Sequence, residues 1–253
     1  MNLRQALILV STWLMVVFNL FSQQFNQYLF GVSTDGYGKY YESMTMISPV
    51  EYTFLIWAPI FIGMLAFSIF QSLPKNKNSK LLDKLLLPVL LINVCNSMSQ
   101  YTSFGWNILV VIGLLIGLVI AFVVIQRFKQ ISVISFWYVE FPLSIFFGWI
   151  TIALVVATSQ NLVYFKWDAF GLPDEVWACL MITVAAIIGF IIFKNYKSYV
   201  YSFVLIWALL GIIINNYPQN PIILCVAPIL ILVLLYQVLL KDNRLESIKW
   251  LNP

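Results

Sequence analysis

The chain has 253 residues, 62% of them hydrophobic and only 9% charged, with a net charge of +4 and a mean hydropathy of +0.92. A soluble domain needs roughly 25% charged residues to cover its surface, so the composition marks an integral membrane protein. The complete lack of histidine excludes His-ligated haem, zinc and di-iron centres and His-based triads, and the small, scattered positive charge excludes nucleic acid as a partner.

Eight segments are long and apolar enough to cross a bilayer as helices, which takes about 20 residues. They are 5–29, 51–72, 84–102, 107–126, 137–158, 175–194, 199–216 and 221–240. A β-barrel would instead show alternating segments of about ten residues. The first span follows Arg4 like a signal peptide but runs on through Gln23 and Asn26 with no small-residue cleavage site, so it is read as retained. Thr12, Asn19, Gln23 and Asn26 mark a polar face on it. A polar loop, 33–48, leads to the second span, which opens Ser48-Pro-Val-Glu-Tyr-Thr-Phe-Leu-Ile-Trp57.

The third span carries the clearest polar stripe: Asn93, Asn96, Ser97 and Gln100 share one helical face. Spans three and four are joined almost directly and form a hairpin. In the fifth span Glu140 is the one acid inside the apolar stretch, placed just before Pro142 and near Arg127 and Lys129. Further along, Ser144, Gly148, Thr151 and Thr158 align as a third uncharged stripe. Three polar stripes suggest a shared polar-lined cavity; the alternative is hydrogen bonding between helices, worth about 0.6 kcal/mol per contact in a bilayer. Spans six to eight follow, separated by Lys194–Lys197 and by a turn containing Pro218 and Pro221.

Charge gives an independent check. With eight spans and the N-terminus inside, all of the 14 Lys and Arg residues except Lys39 and Lys166 fall on the cytoplasmic side, as the positive-inside rule requires. Both termini are therefore expected in the cytoplasm, in a bacterial inner membrane. Cys95, Cys179 and Cys225 lie in separate apolar runs without metal-ligand spacing and read as small buried hydrophobes. Trp106, Trp137, Trp167 and Trp250 fall at span ends, as belt residues do. Trp57, Trp149 and Trp207 fall within spans, where an indole N–H needs a partner: they either pack in the core or hold a flat ligand.

The helix-two opening from Pro49 to Trp57 and Phe61 resembles that of the TspO/MBR (translocator protein, tryptophan-rich sensory protein) family. The asparagine helix that leads from Asn96 to Phe104-Gly105 is similar to the family's third helix. Phe141-Pro-Leu-Ser-Ile-Phe-Phe-Gly-Trp149 is similar to its fifth. Ser99 stands where the family has a tryptophan, and Phe54 replaces a helix-two proline. The resemblance implies an all-α polytopic fold, with a five-helix transmembrane unit over residues 1–160. Three additional helices and a cytoplasmic tail would follow over 161–253. Tyr52-Thr-Phe-Leu-Ile-Trp57-Ala also echoes Tyr201-Ser-Phe-Val-Leu-Ile-Trp207-Ala, in opposite membrane orientation.

What the resemblance implies about function is a pocket among helices 1, 2, 3 and 5. It would accept a tetrapyrrole, a sterol or a similar flat hydrophobic molecule, beneath a loop containing Tyr37, Tyr40 and Tyr41. Trp57, Phe61 and Trp149 would stack on the ligand, and Asn96, with Asn93 and Gln100 on the same stripe, would hydrogen-bond its polar edge. The protein would act as a sensor, carrier or transporter rather than an enzyme, with porphyrin or lipid chemistry the lesser alternative. A tetrapyrrole is the one cofactor-like ligand implied; membrane lipids and a second copy in a homodimer are the remaining expected partners. The competing reading is a small secondary transporter with a proton-linked Glu140.

Overall fold

A computed structural model describes residues 1–22, 24, 45–99, 101–102, 105–128 and 133–240. Gln23, Asn26, the three loop tyrosines, Gln100, Phe104, Lys129 and the charged tail with Trp250 lie outside the described residues. Eight helices are long and apolar enough to cross a membrane among the described residues. They are α1 (Leu3–Leu20), α2 (Glu51–Ser72), α3 (Lys80–Ser99), α4 (Trp106–Arg127), α5 (Val133–Tyr164), α6 (Asp174–Tyr196), α7 (Tyr199–Asn216) and α8 (Pro221–Leu240).

Local chemistry accounts for the ends that differ from the spans expected. At the start of α1, Asn2 and Gln5 form a reciprocal capping box, each side-chain oxygen accepting the other's backbone N–H at 2.9 Å. The first residues of α2, Glu51–Ile56, wind as a 3-10 helix. Pro59 has no N–H to give to the carbonyl four residues earlier, which favours a tighter turn ahead of it. Ser79 accepts from the Leu82 N–H and so starts α3 a turn early. Helix α5 begins at Val133 and passes through a π-helical turn, Phe136–Glu140, before its long α-helical run. Glu140 thus lies about two turns into its helix rather than the one turn that the span 137–158 implied.

The first five helices close into a ring, in which α1 meets α2, α2 meets α5, α5 meets α4, α4 meets α3, and α3 returns to α1. Helix α7 packs on the outside of α5, and α6 and α8 pack on α7 and on each other. Helices α5 and α7 are accordingly the most buried of the eight. The remaining helices keep apolar side chains such as Leu14, Leu87, Ile187 and Leu232 exposed to lipid. Cys225, expected to be buried, is also on this outer surface, because α8 packs inward through Ile223, Ala227 and Leu234 instead; Cys95 and Cys179 are half-buried.

At the end expected to be cytoplasmic, α1 is locked to the α2–α3 turn. The Arg4 guanidinium, only 5% exposed, donates to Asp83 Oδ1 at 2.9 Å and to the carbonyls of Asn76 and Ser79 at 2.7 and 3.2 Å. Beside it, Gln5 donates to the Gln71 carbonyl and Gln71 donates to that of Gln5, each at 3.0 Å. Among these acceptors, the Gln71 carbonyl lies in the last turn of α2, where the helix itself offers it no N–H.

Candidate functional site

On α3, the residues Leu82, Leu85, Val89, Ile92 and Asn96 recur at three- and four-residue spacing and are all buried. This places Asn96 on the side facing the ring interior. Neither its Nδ2 nor its Oδ1 has a hydrogen-bond partner, although the residue is 1% exposed. Asn93 is turned toward α1, where its amide donates to Ser11 Oγ at 2.9 Å and Thr12 Oγ1 at 3.0 Å. The α1 and α3 stripes therefore hydrogen-bond to each other at this level. Asn19 bonds within its own helix, its side-chain amide donating to the Met15 carbonyl one turn back.

The α5 stripe departs from expectation. Gly148 and Thr151 point away from the ring and meet α7, and Ser144 lies one turn earlier on the same face, buried with its hydroxyl unpaired. A Cβ on Gly148 would lie 2.9 Å from Val204 Cβ and 3.1 Å from the Tyr201 carbonyl. Thr151 Oγ1 accepts the Tyr201 hydroxyl at 2.9 Å. Small and hydroxylated residues on one face permit close helix approach as readily as they line a cavity; here they do the former. The ring side of α5 is apolar, with Val139, Leu143, Phe146 and Ile150 buried along it.

Trp57, Phe61 and Trp149 do come together. The Trp57 ring stacks on Phe61 at 5.2 Å between centroids and meets Trp149 edge-on at 6.4 Å and Phe146 at 5.7 Å. Phe54 meets Trp149 at 5.5 Å. These are the favoured stacked and edge-to-face geometries of aromatic pairs. Phe54 and Phe146 were not among the residues expected in the cluster, since apolar aromatics in an apolar span carry no distinguishing signal. Among the described residues, no hydrogen bond or ring contact joins Asn96 or Asn93 to this cluster.

A groove of about 480 Å³ runs along the seam of α1 and α3, lined by Ser11, Leu14, Phe18, Asn93, Ser97, Met98 and Tyr101. Leu14, Val94 and Met98, each about half exposed, place its mouth on the lipid side of that seam. Of the residues expected to line a pocket, Asn93 borders this groove, whereas Asn96, Trp57, Phe61 and Trp149 do not.

Trp207 has a different task from that of Trp57 and Trp149. Its indole N–H donates to the Thr53 carbonyl at 2.9 Å, and its ring meets Tyr52 edge-on at 5.8 Å. Glu140, on the π-helical turn, accepts from Gln126 Nε2 at 3.1 Å. Among the described residues it makes no ion pair, Arg127 included. Gln160, near the other end of α5, is 5% exposed and its Nε2 has no partner; it was not expected as a site residue.

Comparison with known proteins agrees with this architecture. Neither the curated proteins nor the solved structures give a match. A family model described as TSPO-like protein matches residues 5–240, which takes in the last three helices as well as the first five. The chain, an integral membrane protein of eight apolar helices among its described residues, belongs to the TSPO-like protein family.

Proposed function

We propose that the protein binds a flat, hydrophobic or amphipathic molecule of the tetrapyrrole or sterol kind on the ring side of α2, α3 and α5, as a sensor, carrier or transporter. The observation that carries this reading is Asn96. An amide buried with both ends unpaired costs about 1–3 kcal/mol, and a ligand with a polar edge would recover that cost. The aromatic group of Trp57, Phe61 and Trp149 supports it by offering ring faces and edges to such a ligand. The carboxyl-bearing porphyrins and hydroxyl-bearing sterols both combine a flat apolar body with a polar rim. The same reading places the protein in a bacterial inner membrane with both termini cytoplasmic, in contact with lipid and with a homodimer as its assembly.

Titration of the purified protein in detergent with a porphyrin, and separately with a sterol, tests this. Saturable quenching of tryptophan emission is expected, much of it lost in Trp57→Phe or Trp149→Phe. Asn96→Ala should weaken binding by about 1–3 kcal/mol. No saturable binding of either probe, or binding untouched by all three substitutions, would refute the reading. The second reading, a proton-linked permease, draws on Glu140 because π-helical turns concentrate at functional sites and intramembrane carboxyls mark proton paths. Loss of proton-coupled uptake in Glu140→Gln would favour it.

A further inference from the structure

Helix α7 holds the backbone from which the aromatic cluster projects. Trp57, whose own N–H bonds to the Phe54 carbonyl, follows a stretch tied to α7 at several points. Asn216 Nδ2 donates to the Met46 carbonyl at 2.7 Å and Asn215 Nδ2 to that of Ser48 at 2.9 Å. The Val50 N–H donates to the Gly211 carbonyl at 3.2 Å, and Trp207 reaches the Thr53 carbonyl. Gly211 lets the two backbones meet, since a Cβ there would run into Thr53 Oγ1 and lie 3.1 Å from Pro49 Cβ. Residues 46–53 are thus fastened along α7 for its last three turns. Phe54 and Trp57, which touch Trp149, come immediately after.

We infer that Trp207, Asn215 and Asn216 are positioning residues for the aromatic site, and that α7 serves the ring by setting how Phe54 and Trp57 meet Trp149. An unfastened 46–53 stretch would have to find other donors in a region with little water, because buried carbonyls must be paired. The α2 entrance would then settle differently and carry the two rings with it. The inference rests on the proposed binding function only in calling the cluster a ligand site; the positioning itself is independent of any ligand.

Fluorine NMR of the full-length protein labelled with 5-fluorotryptophan tests it. The Trp57 and Trp149 resonances are assigned by their disappearance in Trp57→Phe and Trp149→Phe. In Asn215→Ala, Asn216→Ala and Trp207→Phe both resonances should shift or broaden, while those of Trp13 on α1 and Trp106 at the start of α4 stay in place and report an intact fold. Porphyrin affinity should fall by a few-fold to about tenfold in the same variants, the scale of one or two lost hydrogen bonds. Unmoved Trp57 and Trp149 resonances in all three variants would overturn the inference. Resonances that shift while porphyrin affinity stays at the wild-type value would uphold the positioning and overturn the assignment of the cluster as the ligand site. If the wild-type protein binds no porphyrin, the binding function fails and the resonances alone decide the positioning role.

Discussion

Replacing Gly211 by alanine sets two effects of known size against each other. Alanine favours a helix interior over glycine by about 0.8–1.0 kcal/mol, so propensity alone would stabilise α7. The new methyl, however, would overlap Thr53 Oγ1 and lie 3.0 Å from Thr53 Cγ2 and 3.1 Å from Pro49 Cβ. Thr53 is fully buried, and Pro49 is part of a rigid ring, so the strain has no flexible side-chain end through which to relax. Overpacking of this kind costs about 1–3 kcal/mol. The expected net result is a loss of up to about 2 kcal/mol. Thr53→Ala removes both the obstructing oxygen and the Cγ2 methyl. Because that oxygen has no hydrogen-bond partner, the substitution alone should change stability by less than about 1 kcal/mol. The double variant should recover most of the loss, with a coupling of at least about 1 kcal/mol. Gly189→Ala is the contrast: its obstruction is a terminal methyl of Leu205, which can rotate away, so stability should stay within about 1 kcal/mol of wild type. Reversible unfolding in mixed detergent–SDS micelles, followed by tryptophan emission, measures all four. A stabilised Gly211→Ala protein, or additivity of the Gly211 and Thr53 substitutions, would refute the close approach of α7 to the α2 entrance.

Asn96→Leu should raise stability by about 1–3 kcal/mol, since it replaces an unpaired buried amide with an apolar group of similar size, while porphyrin binding weakens; a fall in thermal midpoint would show that the amide is paired. Arg4→Ala should cost at least about 2 kcal/mol, because several carbonyls lose a charged donor, and Arg4→Lys should not restore it for want of the planar fork. Asp83→Asn should cost less than about 1 kcal/mol, its side chain being 57% exposed; thermal melts rank the three. Single cysteines at positions 77 and 168 should label from opposite faces of the membrane, position 77 from the cytoplasm, and labelling from one face would break the topology.

The spans were readable because a bilayer demands a long apolar run and little else. Which face of a span meets which neighbour was not. Ser144, Gly148 and Thr151 form a stripe whose periodicity is plain, yet periodicity does not say whether small polar residues border a cavity or let another helix close in. The partner that decided the matter, Tyr201, lies 50 positions further along. Trp207 likewise needs an acceptor inside the membrane, but the Thr53 carbonyl it finds is 154 positions away, and any backbone carbonyl looks alike in a sequence. Trp57, Phe61 and Trp149 were legible as a group through a family resemblance. Asn93 and Asn96 were legible as one stripe, but their division between the α1 seam and the ring interior depends on where α1 sits.

The seam between α5 and α7 also bears on what the five-helix part would do without its companions. Cut from the chain, that part would turn Ser144, Gly148 and Thr151 outward to the acyl chains, leaving a strip of small residues of the kind by which membrane helices pair. Such a fragment would be adhesive, prone to recruit another copy of itself or an unrelated span. In the intact chain α7 occupies the strip first, at an effective concentration no separate molecule can match. The protein carries its own chaperoning neighbour in cis.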